Sequence, residues 1–160
     1  IDRASWAERH TYHITLRFLG DQVPAAQISP IVAALHTVRF VPFELRVHGV
    51  GRFPSDGRRA ARVLWAGIAA PRALDELYEQ IEHALIPVGF PAEGRAFHAH
   101  VTLARLRHSK PDPAVDIFLE HWQTLASASI PIGRFVLYES VLSPQGPKYT
   151  SNATFEAVNE

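Results

Sequence analysis

The chain has 160 residues, enough for one domain that buries about two-thirds of the surface its unfolded form exposes. It contains no cysteine, which excludes disulfides, thiolate metal sites and a cysteine nucleophile, and fits a reducing cytoplasm. Sixteen Lys+Arg balance sixteen Asp+Glu, which excludes the basic footprint of a protein that tracks long nucleic-acid backbones, while a partner touched at a terminal phosphate stays open.

The basic residues are almost all arginine, which GC-rich coding explains as well as function does. No apolar run approaches the roughly 18 residues of a membrane span, and "IDRASWAERH" at the start has no signal-peptide apolar region. The expectation is a cytoplasmic protein with no membrane partner, monomeric by default.

In chain order, "TYHITLRFL" (11–19) alternates Ile14, Leu16 and Phe18 with His13, Thr15 and Arg17, the period of a half-buried strand. "ISPIVAALHTV" has helical spacing at Ile28, Ile31, Val32 and Leu35, with Ser29 and Pro30 suited to the N-cap and first turn. "FELRVHGVGRF" (43–53) alternates again, and a Ser-Asp-Gly turn leads to a strand at about 61–69, so this pair reads as a hairpin. "PRALDELYEQIEHALIPVG" places Leu74, Leu77, Tyr78, Ile81 and Leu85 on one helical face between prolines and a terminal glycine.

"AFHAHVTLARL" (96–106) is a second His-rich strand. "PDPAVDIFLEHWQTLAS" (111–127) reads as a helix capped by Asp112, with Pro113 early. "IPIGRFVLYESVLS" (130–143) and "KYTSNATFEAV" (148–158) have strand composition around a "PQGP" turn. The fold class is therefore α+β: duplicated antiparallel sheet units with outer helices, two lobes of one domain over 1–160, whose corresponding strands would meet in one cleft.

The chemistry lies in the repeat of His-[Ile/Val]-Thr-Leu at 13–16 and 100–103. From this chain's composition, a second copy arises by chance on the order of half a per cent of the time. Imidazole titrates near ~6.5, so one of a pair can accept a proton from water while the other protonates a leaving oxygen. The threonines, two residues on and on the same strand face, can each donate to a non-bridging oxygen of an anion held between the imidazoles. Arg105 and Arg17 are the nearest cations. Arg17 has the right parity with His13, whereas Arg105, five residues after His100, shares that face only if the strand ends or bulges near Ala104.

"HITLRFLG", "GRFP", "RVLWAGI", "HAHVTLAR" and "SVLSPQGPKY" together resemble, over about 11–156, the two-histidine (2H) phosphoesterase superfamily and its bacterial RNA 2′,3′-cyclic phosphodiesterase branch, also called 2′-5′ RNA ligases. The resemblance implies a bilobal α+β fold with a central cleft and no metal or cofactor. It implies substrates that are RNA 3′ ends with a 2′,3′-cyclic phosphate, or small cyclic nucleotides, opened to a 2′-phosphate. Carried over, His13 is the acid for the departing 3′ oxygen and His100 the base that activates water. Thr15, Thr102 and Arg105 hold the phosphate, and Tyr149, near the family's substrate loop, is a candidate for base stacking. Family members usually begin with an Arg-Leu-Phe-type strand and a helix that are not found here, so a longer natural chain and an unpaired sheet edge are expected.

Competing readings are weaker. His98 and His100 could form a His-x-His metal pair, with His13 as a third ligand, but neither motif strand carries a carboxylate. His10, His36, His48, His83, His108 and His121 read as surface residues. Ser5, Ser55 and Ser143 lack a nucleophile elbow, and "GVGRF" is no phosphate loop. Phe53 and Trp65 read as core rather than stacking platforms. The alternatives are 2′-5′ RNA ligation, hydrolysis of another cyclic or 2′-linked phosphate, and a non-catalytic RNA-end-binding module.

Overall fold

The two alternating stretches on either side of the Ser-Asp-Gly turn form the hairpin that their pattern predicts. In the computed structural model, which describes residues 1–69, 71–143 and 146–159, they are β2 (Phe43–Phe53) and β3 (Val63–Ala69). They run antiparallel, with Arg46 opposite Ala69 and Phe53 opposite Val63. β3 pairs on its other side with β4 (His100–Leu106), and β4 pairs in turn with β1 (Ala4–Trp6). With β5 (Ile130–Ile132) the sheet has five strands in the order β1-β4-β3-β2-β5.

The chain divides into two compact units assembled from interleaved segments. The first contains Ile1–Thr15, Leu45–Ala69 and Ala99–Ile130. Its core is Ala61, Leu64, Ala104, Leu106 and Val115, with Phe118 and Leu119 packed against it, so α3 (Pro113–Trp122) covers the sheet face that carries Leu64 and Ala104. α3 starts as its sequence predicts: the Asp112 carboxylate accepts from Ala114 N at 2.9 Å.

The second unit contains Leu16–Glu44, Ala70–His98 and Pro131–Glu160. α1 (Ala25–Leu35) and α2 (Arg72–Leu85) present Ile31, Leu35, Leu77, Ile81 and Leu85 to Phe135 and Phe155, which belong to the hairpin β6 (Arg134–Ser143) and β7 (Gly146–Glu156). Phe135 and Phe155 stack at 4.7 Å. Burying each such side chain contributes about 1.5–3 kcal/mol, which is why the α2 stripe was legible in advance. The predicted "PQGP" turn falls partly on residues 144–145, outside the described residues.

Three expectations need correction. Residues 11–19 do not form a regular strand: a 3-10 turn occupies Arg9–Thr11, and the segment joins the sheet only through an antiparallel bridge between Ile14 and Val101. The reason is space. β1 already pairs with β4 over Ala104–Leu106, and Ala7 N bonds to Leu103 O, so only the first residues of β4 remain for the first motif. α1 begins at Ala25 rather than near Ser29, which puts Pro30 inside the helix and removes one backbone hydrogen bond; the burial of Ile31 and Leu35 outweighs that loss. Finally, the edge of β4 is covered, because Ala4–Trp6 supplies the strand that the N-terminal sequence did not suggest.

Candidate active site

Within the first unit the two motifs lie side by side. The Ile14–Val101 bridge is antiparallel, so continuing its register by one residue sets His13 opposite Thr102 and Thr15 opposite His100. Side chains directly across an antiparallel pair share a face at about 4.5–5.5 Å between Cβ atoms, and diagonal neighbours stand about 7–8 Å apart. His13 and His100 are the diagonal, as are Thr15 and Thr102. In this register each motif contributes one His and one Thr on either side of the Ile14–Val101 bridge.

β4 changes face within this site. Thr102 is opposite Trp65 and Ala104 is opposite Leu64, so two steps along β4 match one along β3, and Leu103 is the extra residue of a β-bulge. On one side of the bulge His100 and Thr102 face away from the core; beyond it Ala104 and Leu106 are buried in the core and Arg105 takes the outward face. The bulge that parity demands for Arg105 is therefore present, and the bulged Leu103 carbonyl accepts from Ala7 N at 2.8 Å.

His13 is exposed, and its Nδ1 donates to the Thr11 carbonyl at 2.7 Å. A carbonyl only accepts, so Nδ1 carries a proton. The Thr11 carbonyl is itself held by the 3-10 turn, in which Thr11 N and Oγ1 both donate to Glu8 O, at 2.9 and 2.7 Å. The otherwise unexplained "RASWAERHT" thus supplies both the edge strand and the bracket for His13.

His100 is half-buried in an aromatic corner. The Phe53 ring meets it edge-on at 5.1 Å, and Trp65 lies 6.2 Å away. Trp65 in turn lies over Gly51, where a Cβ would come within 2.1 Å of the indole. Arg52 fixes the loop after β2: buried, it donates through Nε to Pro54 O at 3.2 Å and through Nη2 to the carbonyls of Asp56 and Arg59, and Asp116 of α3 lies 3.7 Å from Nη1. Among the described residues, no group of three His, Cys, Asp or Glu side chains gathers closely enough to hold a metal ion.

A family model for LigT-like phosphoesterases matches residues 2–65 and 68–149. The chain belongs to the LigT-like phosphoesterases. It is 34% identical over 143 residues to an RNA 2′,3′-cyclic phosphodiesterase of Aeropyrum pernix, covering 89% of this chain and 80% of the relative. A protein of the same description from Archaeoglobus fulgidus is 33% identical over 149 residues, covering 93% and 81%. The crystal structure of TT0787 of Thermus thermophilus superposes with a TM-score of 0.77 at 26% identity, covering 97% of this chain and 82% of that one.

Not every expected site residue of this LigT-like chain joins the motifs. Arg17 belongs to the second unit, where its side chain is only 11% exposed. Its Nη1 pairs with Glu82 at 3.0 Å and Glu93 at 3.4 Å, and Nη2 donates to Pro91 O at 2.7 Å. With both terminal nitrogens held by protein acceptors, Arg17 is a structural residue and its expected role as a phosphate ligand is withdrawn. Tyr149 also lies in the second unit, half-buried, with its ring 6.0 Å from Tyr138. His98 precedes β4 and belongs to the second unit, whereas His100 belongs to the first.

Sequence reading assigned Phe53 and Trp65 to the core and so missed them. A signal was available: Leu64 and Ala66 are the buried alternates of β3, which turns Trp65 to the face of Thr102.

Proposed function

We infer that the protein is a phosphodiesterase that opens the 2′,3′-cyclic phosphate of RNA ends or small nucleotides, leaving a 2′-phosphate, by general acid–base catalysis between its two histidines. The observation that supports this reading is the Ile14–Val101 bridge, which brings the two His-x-Thr motifs next to each other in the chain's fold.

His100 takes a proton from water as the water oxygen bonds to phosphorus. On the opposite side of the phosphoryl group the P–O3′ bond breaks, and His13 Nε2 gives its proton to the departing 3′ oxygen. The product is a 3′-hydroxyl and a 2′-phosphomonoester, and the two imidazoles recover their starting protonation by exchange with solvent. Thr15 and Thr102 donate to the non-bridging oxygens, and Arg105, brought to this face by the bulge, balances the charge that grows there. Thr11 keeps His13 in one tautomer, and the Phe53–Trp65 corner keeps the His100 ring in one orientation.

The test is turnover of a short RNA ending in a 2′,3′-cyclic phosphate in excess chelator, with products resolved as 2′- or 3′-phosphate. A 2′-phosphate formed by the wild type and lost in both His13→Ala and His100→Ala supports this mechanism. Turnover that survives both substitutions rejects it.

A further inference from the structure

The sheet face that carries His100, Thr102 and Arg105 continues past the proposed chemistry. Ser5 of β1 lies directly opposite Arg105, and Ala4 opposite Leu106. Arg3 immediately precedes β1 and Arg107 immediately follows β4, so each adjoins the Ala4–Leu106 pair. Arg3, Ala4, Ser5 and Arg107 line an open hollow of about 550 Å³.

Three further observations mark this hollow as a built feature. Among the described residues, neither Arg3, Arg105 nor Arg107 forms an ion pair, in contrast to Arg17, Arg52, Arg59 and Arg72, each of which has a carboxylate partner. Arg3 has a positive φ of 54°, a left-handed conformation that costs a non-glycine residue stability and persists where its surroundings impose it. The surroundings here are His108, whose Nε2 meets the Asp2 carbonyl and whose Nδ1 lies 3.3 Å from the carboxylate of Asp112, the cap of α3.

We propose that Arg3, Ser5 and Arg107 form a backbone-phosphate subsite that grips the RNA chain on the 5′ side of the nucleotide being opened. The inference rests on the function proposed above. A cyclic mononucleotide has no phosphate to place there. An oligonucleotide carries phosphates at regular intervals away from its reacting end, and Arg3 and Arg107 bring two guanidinium groups to one hollow that also takes in Ser5, the partner of Arg105. The contacts are few, so a chain of zero formal net charge can make them.

The experiment compares a nucleoside 2′,3′-cyclic phosphate with a tri- or tetraribonucleotide ending in the same group, using the full-length chain and the double variant Arg3→Gln/Arg107→Gln. The expected result is an oligonucleotide KM raised about three- to tenfold in the double variant, with kcat unchanged and mononucleotide kinetics unchanged. The slope of log KM against log salt for the oligonucleotide should flatten by about 0.7 per arginine removed.

A single uncharged methylphosphonate at an internal linkage should weaken the wild type by a similar factor and leave the double variant almost unaffected. Mononucleotide turnover in the same preparations reports folding. Arg3→Gly, which suits the left-handed backbone and removes the charge, is a second variant that should raise the oligonucleotide KM in the same direction.

An oligonucleotide advantage that survives these substitutions, or an equal loss on both substrates, overturns the subsite and leaves the proposed function standing. A wild-type protein that turns over neither substrate overturns the function, and the subsite with it.

Discussion

The two motifs, His-Ile-Thr-Leu at 13–16 and His-Val-Thr-Leu at 100–103, are nearly the same in sequence and are held by different means. The second lies in a regular strand with β3 along one side, and its histidine is wedged between Phe53 and Trp65. The first lies outside any regular strand, touches the sheet at one bridge, and has its histidine oriented by a backbone carbonyl from a local turn. A catalytic pair therefore needs common geometry at the reacting atoms, and tertiary packing or a local turn can each provide it.

The sharpest way to break this comparison is to remove each histidine. His13→Ala and His100→Ala should each lower kcat by on the order of 10²- to 10⁴-fold, and the double variant should be little worse than either single one, since the two act in one step. Additive losses, or turnover unchanged by either substitution, would refute the pairing.

Next in size is Arg17, which separates a ligand from a structural residue. Arg17→Met leaves Glu82 without its main partner in a nearly buried position and should cost about 2–4 kcal/mol of stability, read by chemical denaturation. kcat/KM per folded molecule should change little. A preserved stability with a raised KM would restore Arg17 to the phosphate.

Smaller effects probe the support of the second histidine. Gly51→Ala places a methyl group within 2.1 Å of the Trp65 ring, so the indole must move at a cost of about 1–3 kcal/mol. Activity should fall with it, read as kcat per folded molecule.

The smallest effect lies in the second unit. Tyr78 stacks on Phe97 at 4.3 Å, and burial, followed by the Glu82 charge, pushes its hydroxyl above the ordinary value of 10.0. The folded state thus favours the neutral phenol: its contribution is fully present below the ordinary value and is lost as pH rises through the raised one. Thermal unfolding should show an extra alkaline destabilisation that Tyr78→Phe removes. Identical alkaline curves for the two proteins would refute it.

Much of this protein was legible in one dimension because the information was periodic or repeated. The apolar stripe of α2, the β2–β3 hairpin and the Asp112 cap follow from local pattern, and the two His-x-Thr copies mark the proposed reacting groups without any fold. Parity alone required that β4 either end or bulge near Ala104 for Arg105 to share the face of His100, and the structure has the bulge. Other features depended on residues distant in sequence, which no local rule weighs. The pairing of residues 4–6 with β4 confined the first motif to one bridge, the acceptors Glu82, Glu93 and Pro91 drew Arg17 into the second unit, and Trp65 took its place beside His100 because Gly51 leaves room for its ring. Sequence by itself determined the repeated motif on which the proposed chemistry rests; long-range competition for edges, charges and space decided which neighbours surround it.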